Sequence, residues 1–341
     1  MSRPAYPFLF NFANSATGGG YKRLFEYARW FNANGGASFV VPARCEGLRA
    51  EFPKNVYFFN RQPRYKLQRL LNDRGYLQEV AAVAGTPDLY YSYGIPLVRL
   101  GRVNWFHLSN VLPLAPRGVP LPAFDHVKLR CLGFLIRRAL PAADVISAES
   151  RFSLGLFDPE FAARLFLSVN GSDDEIQHWR HPHVAPADEV AMVVGTYSYK
   201  AIEDSWKVFD MLRRGSPALR LEIVGEAAAI PARVRADPGV TAAGVLPRPE
   251  VIARLLTARY YISTTLIENS YNAASEGVFS AEESYVSDIG PHRELLAGMP
   301  ADAVIAPGMD RPVLHVRRGE LSGAGLKTWA EVIKEMIDHV R

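Results

Sequence analysis

The sequence predicts an α/β protein built as two doubly wound domains. Short β-branched or aromatic runs alternate with stretches of helical apolar spacing, the pattern that gives parallel sheets covered by helices. The 341 residues exceed the comfortable size of one hydrophobic core. A His- and Pro-rich stretch without periodicity, from His178 to Pro186, separates two series of alternating elements. At 48% hydrophobic content both cores can be filled.

In the first series, residues 8–12 read as a strand leading through Ala16-Thr-Gly-Gly-Gly20 into a helix whose apolar positions Leu24, Tyr27, Ala28 and Phe31 share one face. Asn34-Gly-Gly36 ends that helix, and 38–41 is the next strand. Further strands are expected over 89–92, 103–107, 145–148 and 165–169. The helix expected over 127–140 is apolar on most faces and reads as core. Asn170-Gly-Ser-Asp-Asp-Glu175 then turns the chain into the linker. The second series runs strand 190–194, helix 203–213, strand 221–225, helix 249–257, strand 260–265 and helix 273–278. A last helix over 326–340 carries Trp329, Val332, Ile333 and Ile337 on one face. The expected division is a first domain over 1–170, a linker over 171–188, a second domain over 189–322 and a C-terminal helical segment over 323–341.

Composition narrows the function classes. No run of eighteen apolar residues occurs, and the apolar stretch from Cys131 to Ile136 is stopped by Arg137 and Arg138. Pro4 and Pro7 flank the short run Phe8-Leu-Phe, so no signal peptide is expected. Cys45 and Cys131 have neither metal-ligand nor disulfide spacing, which fits a reducing cytoplasm. A net charge of +4 is too mild to argue for nucleic acid, while an anionic membrane surface or a diphosphate ligand suffices to account for it.

The chemistry is concentrated in Glu268-Asn-Ser-Tyr-Asn-Ala-Ala-Ser-Glu276, where a buried strand runs into a helix. Eight helical steps separate the carboxylates by roughly 12 Å, more if the first residues are extended. That is too far for a shared proton and suits the two ends of one elongated ligand. Backbone amides at a helix start near Ser270, Tyr271 and Asn272 can hold an anion between them. A sugar, a pyrophosphate and a ribose fit in that order, since ionised carboxylates accept strong hydrogen bonds from hydroxyls.

This segment, followed by Ser287-Asp-Ile-Gly-Pro-His-Arg-Glu294, resembles the donor site of the retaining GT-B glycosyltransferases of the large family 4 type, with its Glu-x7-Glu pair. The resemblance implies two Rossmann-like domains facing across a cleft, the first on the acceptor side and the second holding the nucleotide sugar, with the last helix packed back on the first. It places Glu268 beside the transferred sugar and Glu276 on the ribose hydroxyls. Lys200, in Gly195-Thr-Tyr-Ser-Tyr-Lys200, matches the lysine that neutralises the donor diphosphate. The arginine that usually follows this glycine is Thr196 here, so Lys200 works alone or a cation such as Arg248 or Arg23 takes the role. Gly18, Gly19 and Gly20 match the loop near the donor pyrophosphate and the acceptor, or form a flexible turn. His107 matches the histidine aimed at the sugar, and reads equally as a satisfied core residue.

The resemblance further implies transfer of a hexose-type sugar, with retention, to a hydroxyl of a glycan or lipid-linked glycan in bacterial envelope polysaccharide synthesis. The expected location is cytoplasmic or peripheral on the inner face of the membrane. No cofactor and no metal are expected, the nucleotide diphosphate sugar being a substrate; His178, His181 and His183 lie on a proline-containing linker without acidic or thiol neighbours. Arg61, Arg64, Lys66, Arg69 and Arg74 around Leu67, Leu70 and Leu71 form either a solvated helix face or a membrane-contacting one. An epimerase, a phosphorylase and a non-catalytic binding protein for sugar nucleotides stay open as other readings.

Overall fold

A computed structural model describes residues 6–15, 18–45, 47–61, 74–115, 119–172, 188–318 and 326–341. Most of the expected linker, the three linker histidines and the basic cluster from Arg64 to Arg69 lie outside the described residues. The chain divides into two compact units, Met1–Pro116 with Ala123–Gly171 and Lys327–Arg341, and Arg117–Pro122 with Ser172–Leu326.

The first unit holds β1 (Phe8–Asn11), β2 (Ala37–Pro42), β3 (Val56–Arg61), β4 (Leu89–Tyr93), β5 (Val103–Leu108), β6 (Val145–Ala148) and β7 (Leu165–Leu167). They pair in the order β3-β2-β1-β4-β5-β6-β7, all parallel. A parallel sheet is covered on both faces, which is why these strands read as nearly continuous apolar runs. The helices are α1 (Gly18–Ala33), α2 (Leu48–Glu51), α3 (Arg74–Ala84), α4 (Ala123–Ala139) and α5 (Arg151–Leu154). Phe10, Phe12, Tyr27, Phe31, Phe39 and Tyr91 interlock as an aromatic core between α1 and the sheet.

One strand is added and one expectation is corrected. The run Val-Tyr-Phe-Phe at 56–59, not assigned from sequence, is the edge strand β3. Helix α4 is not core: Gly133 and Ile136 are its buried residues, while Phe124, Val127 and Phe134 stand exposed. Gly133 is where the backbone comes closest, since a Cβ there would lie 2.1 Å from the Pro113 carbonyl oxygen.

The second unit runs β8 (Asp188–Val194), α6 (Ile202–Arg213), β9 (Arg220–Val224), α7 (Ala232–Arg235), β10 (Val240–Gly244), α8 (Arg248–Thr257), β11 (Ala258–Ser263), α9 (Asn272–Ser280), β12 (Glu283–Ser287), α10 (Gly290–Leu295), β13 (Asp302–Val304) and β14 (Val313–Arg317). The sheet order is β10-β9-β8-β11-β12-β14-β13, parallel up to β12 and antiparallel beyond it. In both sheets the order reverses beside the first strand, between β1 and β4 and between β8 and β11. Ligands of open α/β sheets bind at such a switch point, outside the carboxyl ends of the strands.

The last helix, α11 (Trp329–Val340), starts on a capping box in which Thr328 Oγ1 accepts from the Glu331 amide and Glu331 accepts from the Thr328 amide. Trp329, Ile333, Met336 and Ile337 enter the core of the first unit. Gly171 leaves the room for this docking, because a Cβ there would lie 2.5 Å from the Trp329 nitrogen and 2.6 Å from its ring.

The same unit encloses a charged network. Arg23 is fully buried and donates to Tyr27, Tyr91 and Ser168 hydroxyls, the Asn170 side chain and the carbonyls of Ser168 and Val169. Glu149 Oε1 lies 3.8 Å from Arg23 Nε and 3.4 Å from His107 Nε2, and accepts from the Tyr93 hydroxyl at 3.3 Å. Burial pushes the Glu149 carboxyl up, but His107, Arg23 and Asn170 together outweigh it and hold it below the usual range. Burial, helped by Arg23, lowers His107 to about 4 against the pull of Glu149.

Two outcomes follow for stability. Gly171→Ala forces Trp329 off its seat and is expected to cost about 1–3 kcal/mol, read as a lower urea midpoint. An unfolded histidine titrates near 6.5 and folded His107 near 4, so the unfolded chain binds the extra proton between these values. The stability that His107 contributes is complete above about pH 6.5 and is lost as pH falls through about 4, at roughly 1.4 kcal/mol per pH unit. Urea midpoints measured from pH 7 to pH 4 should fall less steeply for His107→Gln than for the wild type. Equal slopes would contradict the assignment of a buried neutral imidazole.

Candidate functional site

Three parallel strands of the second unit, β8, β11 and β12, end side by side at the switch point, and each feeds a loop that carries polar groups. After β8 the backbone turns at Gly195, with φ +94°, and runs through Tyr197 to Lys200. Ala201 then adopts a left-handed conformation, φ 47° and ψ 54°, as the residue before α6. Such a conformation is costly for a residue with a Cβ and persists where the surroundings over-determine it.

Those surroundings are the loop after β11. The Leu266 amide donates to the Tyr199 carbonyl at 2.7 Å, and Thr264 Oγ1 donates to the Ala201 carbonyl at 2.8 Å. Ser205 Oγ and Thr264 Oγ1 are 2.7 Å apart, tying in the first turn of α6. Sewn together in this way, the two loops hold Lys200 Nζ 2.5 Å from Glu268 Oε1, with both side chains largely buried. The Lys200 stem passes Gly195 at ordinary contact distance, and it is the φ of +94° that calls for glycine there. Tyr197 and Tyr199 stack with centroids 5.5 Å apart, and Lys200 Nζ lies 5.9 Å from the Tyr199 ring centroid.

Glu268 sits on the loop, whereas Glu276 sits on α9. That helix lies directly on β11 because Gly277 has no side chain, and a Cβ there would fall 2.1 Å from the Tyr261 ring. Its N-cap is Tyr271, with no side-chain cap; Ser270 Oγ donates to Asn272 Oδ1 at 3.1 Å, and the Asn272 carbonyl accepts from Ser275 Oγ at 2.7 Å. Arg248, the first residue of α8, reaches Glu276 Oε1 at 2.7 Å. The buried Tyr261 hydroxyl has its pKa raised first by burial and then by the charges of both Glu268 and Glu276. One phenol thus senses both carboxylates.

The loop after β12 completes the arrangement. His292 is buried, its Nδ1 2.8 Å from the Ser287 carbonyl oxygen. Burial lowers its pKa to about 4, opposed by the Ser287 bond and the Glu268 charge and favoured by Lys200. Asp288 is held by Arg293. Thr196 Oγ1 accepts from the Glu226 amide at 2.9 Å, its side chain lying where a Cβ on Gly225 would be. The two sewn loops also line, with Lys207 and Arg311, a cavity of about 440 Å³ that does not include either glutamate.

The structure therefore brings Lys200, Glu268, Glu276, Ser270, Tyr271 and Asn272 to one end of one sheet. Sequence reasoning does not single out Tyr261, Arg248 as the partner of Glu276, or the role of His292, although His292 lies within the motif quoted above. The remaining candidates lie in the first unit. Gly18, Gly19 and Gly20 are not a loop before the helix but its first turn, Gly18 with φ +64°. His107, the next-to-last residue of β5, has no exposed surface and is stacked on Tyr93 at 5.2 Å, its Nδ1 2.8 Å from Ser147 Oγ and its Nε2 facing Glu149. Arg23 is enclosed by the partners described above. Among the described residues no group of three or more His, Cys, Asp or Glu could hold a metal ion, and no helix is long and apolar enough to cross a membrane.

No protein-family model matches the sequence, and no curated protein matches it in sequence. Solved structures do share its fold. HepE of Anabaena, in complex with UDP and glucose, aligns with a TM-score of 0.62 at 16% identity, over 98% of this chain and 99% of that one. Sucrose-phosphate synthase from Thermosynechococcus elongatus gives 0.59 at 10% identity, over 99% and 94%. A glycosyltransferase from Rickettsia africae gives 0.58 at 12% identity, over 98% and 88%. The chain has the GT-B fold, and these neighbours in fold are glycosyltransferases.

Proposed function

We propose that the protein is a retaining glycosyltransferase of the family 4 type, moving a hexose-type sugar from a nucleotide diphosphate to a hydroxyl. The observation that carries this reading is the pairing of two carboxylates with two cations around the start of α9, at the switch point of the second sheet. Glu268 is matched with Lys200 and Glu276 with Arg248. A ligand with hydroxyls at both ends and a diphosphate between them can exchange partners with both pairs. Each carboxylate trades its cation for hydroxyl donors, and each cation turns to the diphosphate.

In this reading Glu276 holds the ribose, and Glu268 holds the sugar hydroxyls and stabilises positive charge developing at the anomeric carbon. Lys200, with the amides at Tyr271 and Asn272, takes up the charge of the leaving diphosphate without a metal ion. Arg248 supplies the second cation that Thr196 cannot. The bound nucleotides of HepE, UDP in one structure and UDP-glucose in another, make UDP-glucose the first donor to try. The acceptor in this reading is a glycan or lipid-linked glycan of the bacterial envelope.

A cognate donor at a hundredfold excess over its Kd should stabilise the fold by roughly 3 kcal/mol, seen as a rise in Tm across a nucleotide-sugar panel. No rise with any member would remove the donor assignment. A rise without nucleotide release in the presence of acceptor glycans would mark a binding protein, and sugar interconversion without acceptor an epimerase. Glu276→Ala should mainly weaken donor binding, and Glu268→Ala should mainly reduce kcat. Lys200→Ala should lower kcat by roughly 10²–10³-fold. Wild-type kinetics in all three would leave the site without function.

A further inference from the structure

The loop after β12 carries a buried histidine to which the proposed reaction gives no task. His292, on α10, is 1% exposed. Its Nδ1 lies 2.8 Å from the Ser287 carbonyl oxygen, which can only accept, so Nδ1 carries the proton. The ring is neutral, because burial lowers its pKa to about 4, and Nε2 is therefore a bare acceptor. The loop fixes this setting: Ser287 Oγ is 3.2 Å from Nδ1, the Ile289 amide donates to the same carbonyl at 2.9 Å, and Arg293 grips Asp288 at 2.8 Å. Among the described residues Nε2 has no hydrogen-bond partner. Buried polar atoms of a folded protein are nearly always paired, so an unpaired one beside a binding site points to a ligand.

Place and chemistry narrow that ligand. Strands β11 and β12 run parallel with Ser263 opposite Val286, so the loops carrying Glu268 and His292 leave neighbouring strand ends. The charges that His292 feels are those of Glu268 and Lys200, while Glu276 is engaged with Arg248. His292 thus stands at the sugar end of the donor in the reading above, on which this inference rests. An ionised diphosphate oxygen only accepts and cannot pair with a lone pair, and Lys200 gives its hydrogen to Glu268. A sugar hydroxyl has a hydrogen to give. We propose that His292 Nε2 accepts a hydrogen bond from one hydroxyl of the transferred sugar, Glu268 taking another, and that the site thereby selects donors hydroxylated at that carbon over their deoxy counterparts. A site built around a substrate hydroxyl rejects the analogue lacking it, because its own polar group is then left unpaired. A neutral acceptor does this without adding negative charge beside the leaving diphosphate.

The test crosses variants of the full chain with donor analogues, reading the Kd of each pair by calorimetry. The probe is the nucleotide sugar that raises the Tm most, UDP-glucose being tried first, with its monodeoxy analogues, one for each free hydroxyl of the hexose. The wild type should bind one of these analogues roughly tenfold more weakly than the parent. His292→Asn keeps a donor for the Ser287 carbonyl and removes Nε2; in this variant the parent and that analogue should bind alike. His292→Gln carries an amide oxygen toward the Nε2 position and should keep part of the difference. A role in packing alone would weaken every sugar equally and leave the ratio of the two Kd values unchanged. A ratio at every hydroxyl that is the same in wild type and His292→Asn would overturn the proposal while leaving the donor reading intact. Failure of the wild type to bind any nucleotide sugar would overturn both. Should His292→Asn lower the Tm, the ratio measured below its melting range still decides, since stability cancels from a ratio taken on one protein.

Discussion

The backbone tie between residues 199–201 and 264–266 is the constraint on which the candidate site rests. A lysine and a glutamate on separate loops meet within hydrogen-bonding distance because their loops are joined by a main-chain bond and two threonine-mediated bonds. The left-handed backbone of Ala201 is the local cost of that join. It places the end of one loop and the start of α6 in a fixed relation, so Lys200 reaches its partner from an immobilised stem rather than a freely rotating one. Gly277 does the corresponding work for Glu276. By letting α9 lie on the face of Tyr261, it fixes the height of the second turn of the helix above the strand ends.

The parallel strands are legible in the sequence because burial on both faces removes alternation and leaves short apolar runs, as at β8, β9 and β11. Edge and antiparallel additions are not: β10 is half exposed and rich in alanine, β14 owes its place to pairing with β12, and β13 owes its place to pairing with β14, rather than to any pattern of their own. Helix α4 shows the limit of periodicity. Apolar residues on two sides read as a core helix, and only the tertiary structure tells which side has a neighbour. At α1 the glycines argue for a loop by propensity, yet the helix begins at Gly18, a case where context overrides a weak prior.

The site is legible to a similar depth. Glu268, Glu276 and Lys200 can be placed together because each follows an apolar run that must be a parallel strand, and parallel strands of one sheet end on the same side. What the sequence leaves hidden is pairing across elements. Nothing in the local spacing of Arg248 connects it to Glu276, and Arg23, offered by the sequence as a cation for the diphosphate, is fully buried among partners of its own. Its enclosure depends on Ser168, Asn170 and Glu149, contributed by distant strand ends and the turn at the close of the first domain.

The two units handle buried charge in opposite ways, and the contrast bears on which one can bind an anion. In the first unit Arg23 has every donor matched by an acceptor, and Glu149 by His107, Tyr93 and Arg23. Such a network specifies a fold, and opening it would strand buried polar groups at a cost of about 1–3 kcal/mol each. In the second unit each cation of the candidate site is paired with a carboxylate that keeps some exposure, and Arg248 is itself partly in solvent. The Arg248–Glu276 pair, with its arginine 39% exposed, can change partners at little cost, because exposed pairs contribute about 1 kcal/mol or less, whereas the Lys200–Glu268 pair is largely buried and needs a replacement partner for each charge. The second unit is therefore the one whose paired charges keep some access to solvent. In the proposed reading Thr196, tied to the next loop through the Glu226 amide, stands where the resembled family has an arginine, and Arg248 on α8 supplies the second cation. In that reading a diphosphate at the start of α9 draws on Lys200 and Arg248 together.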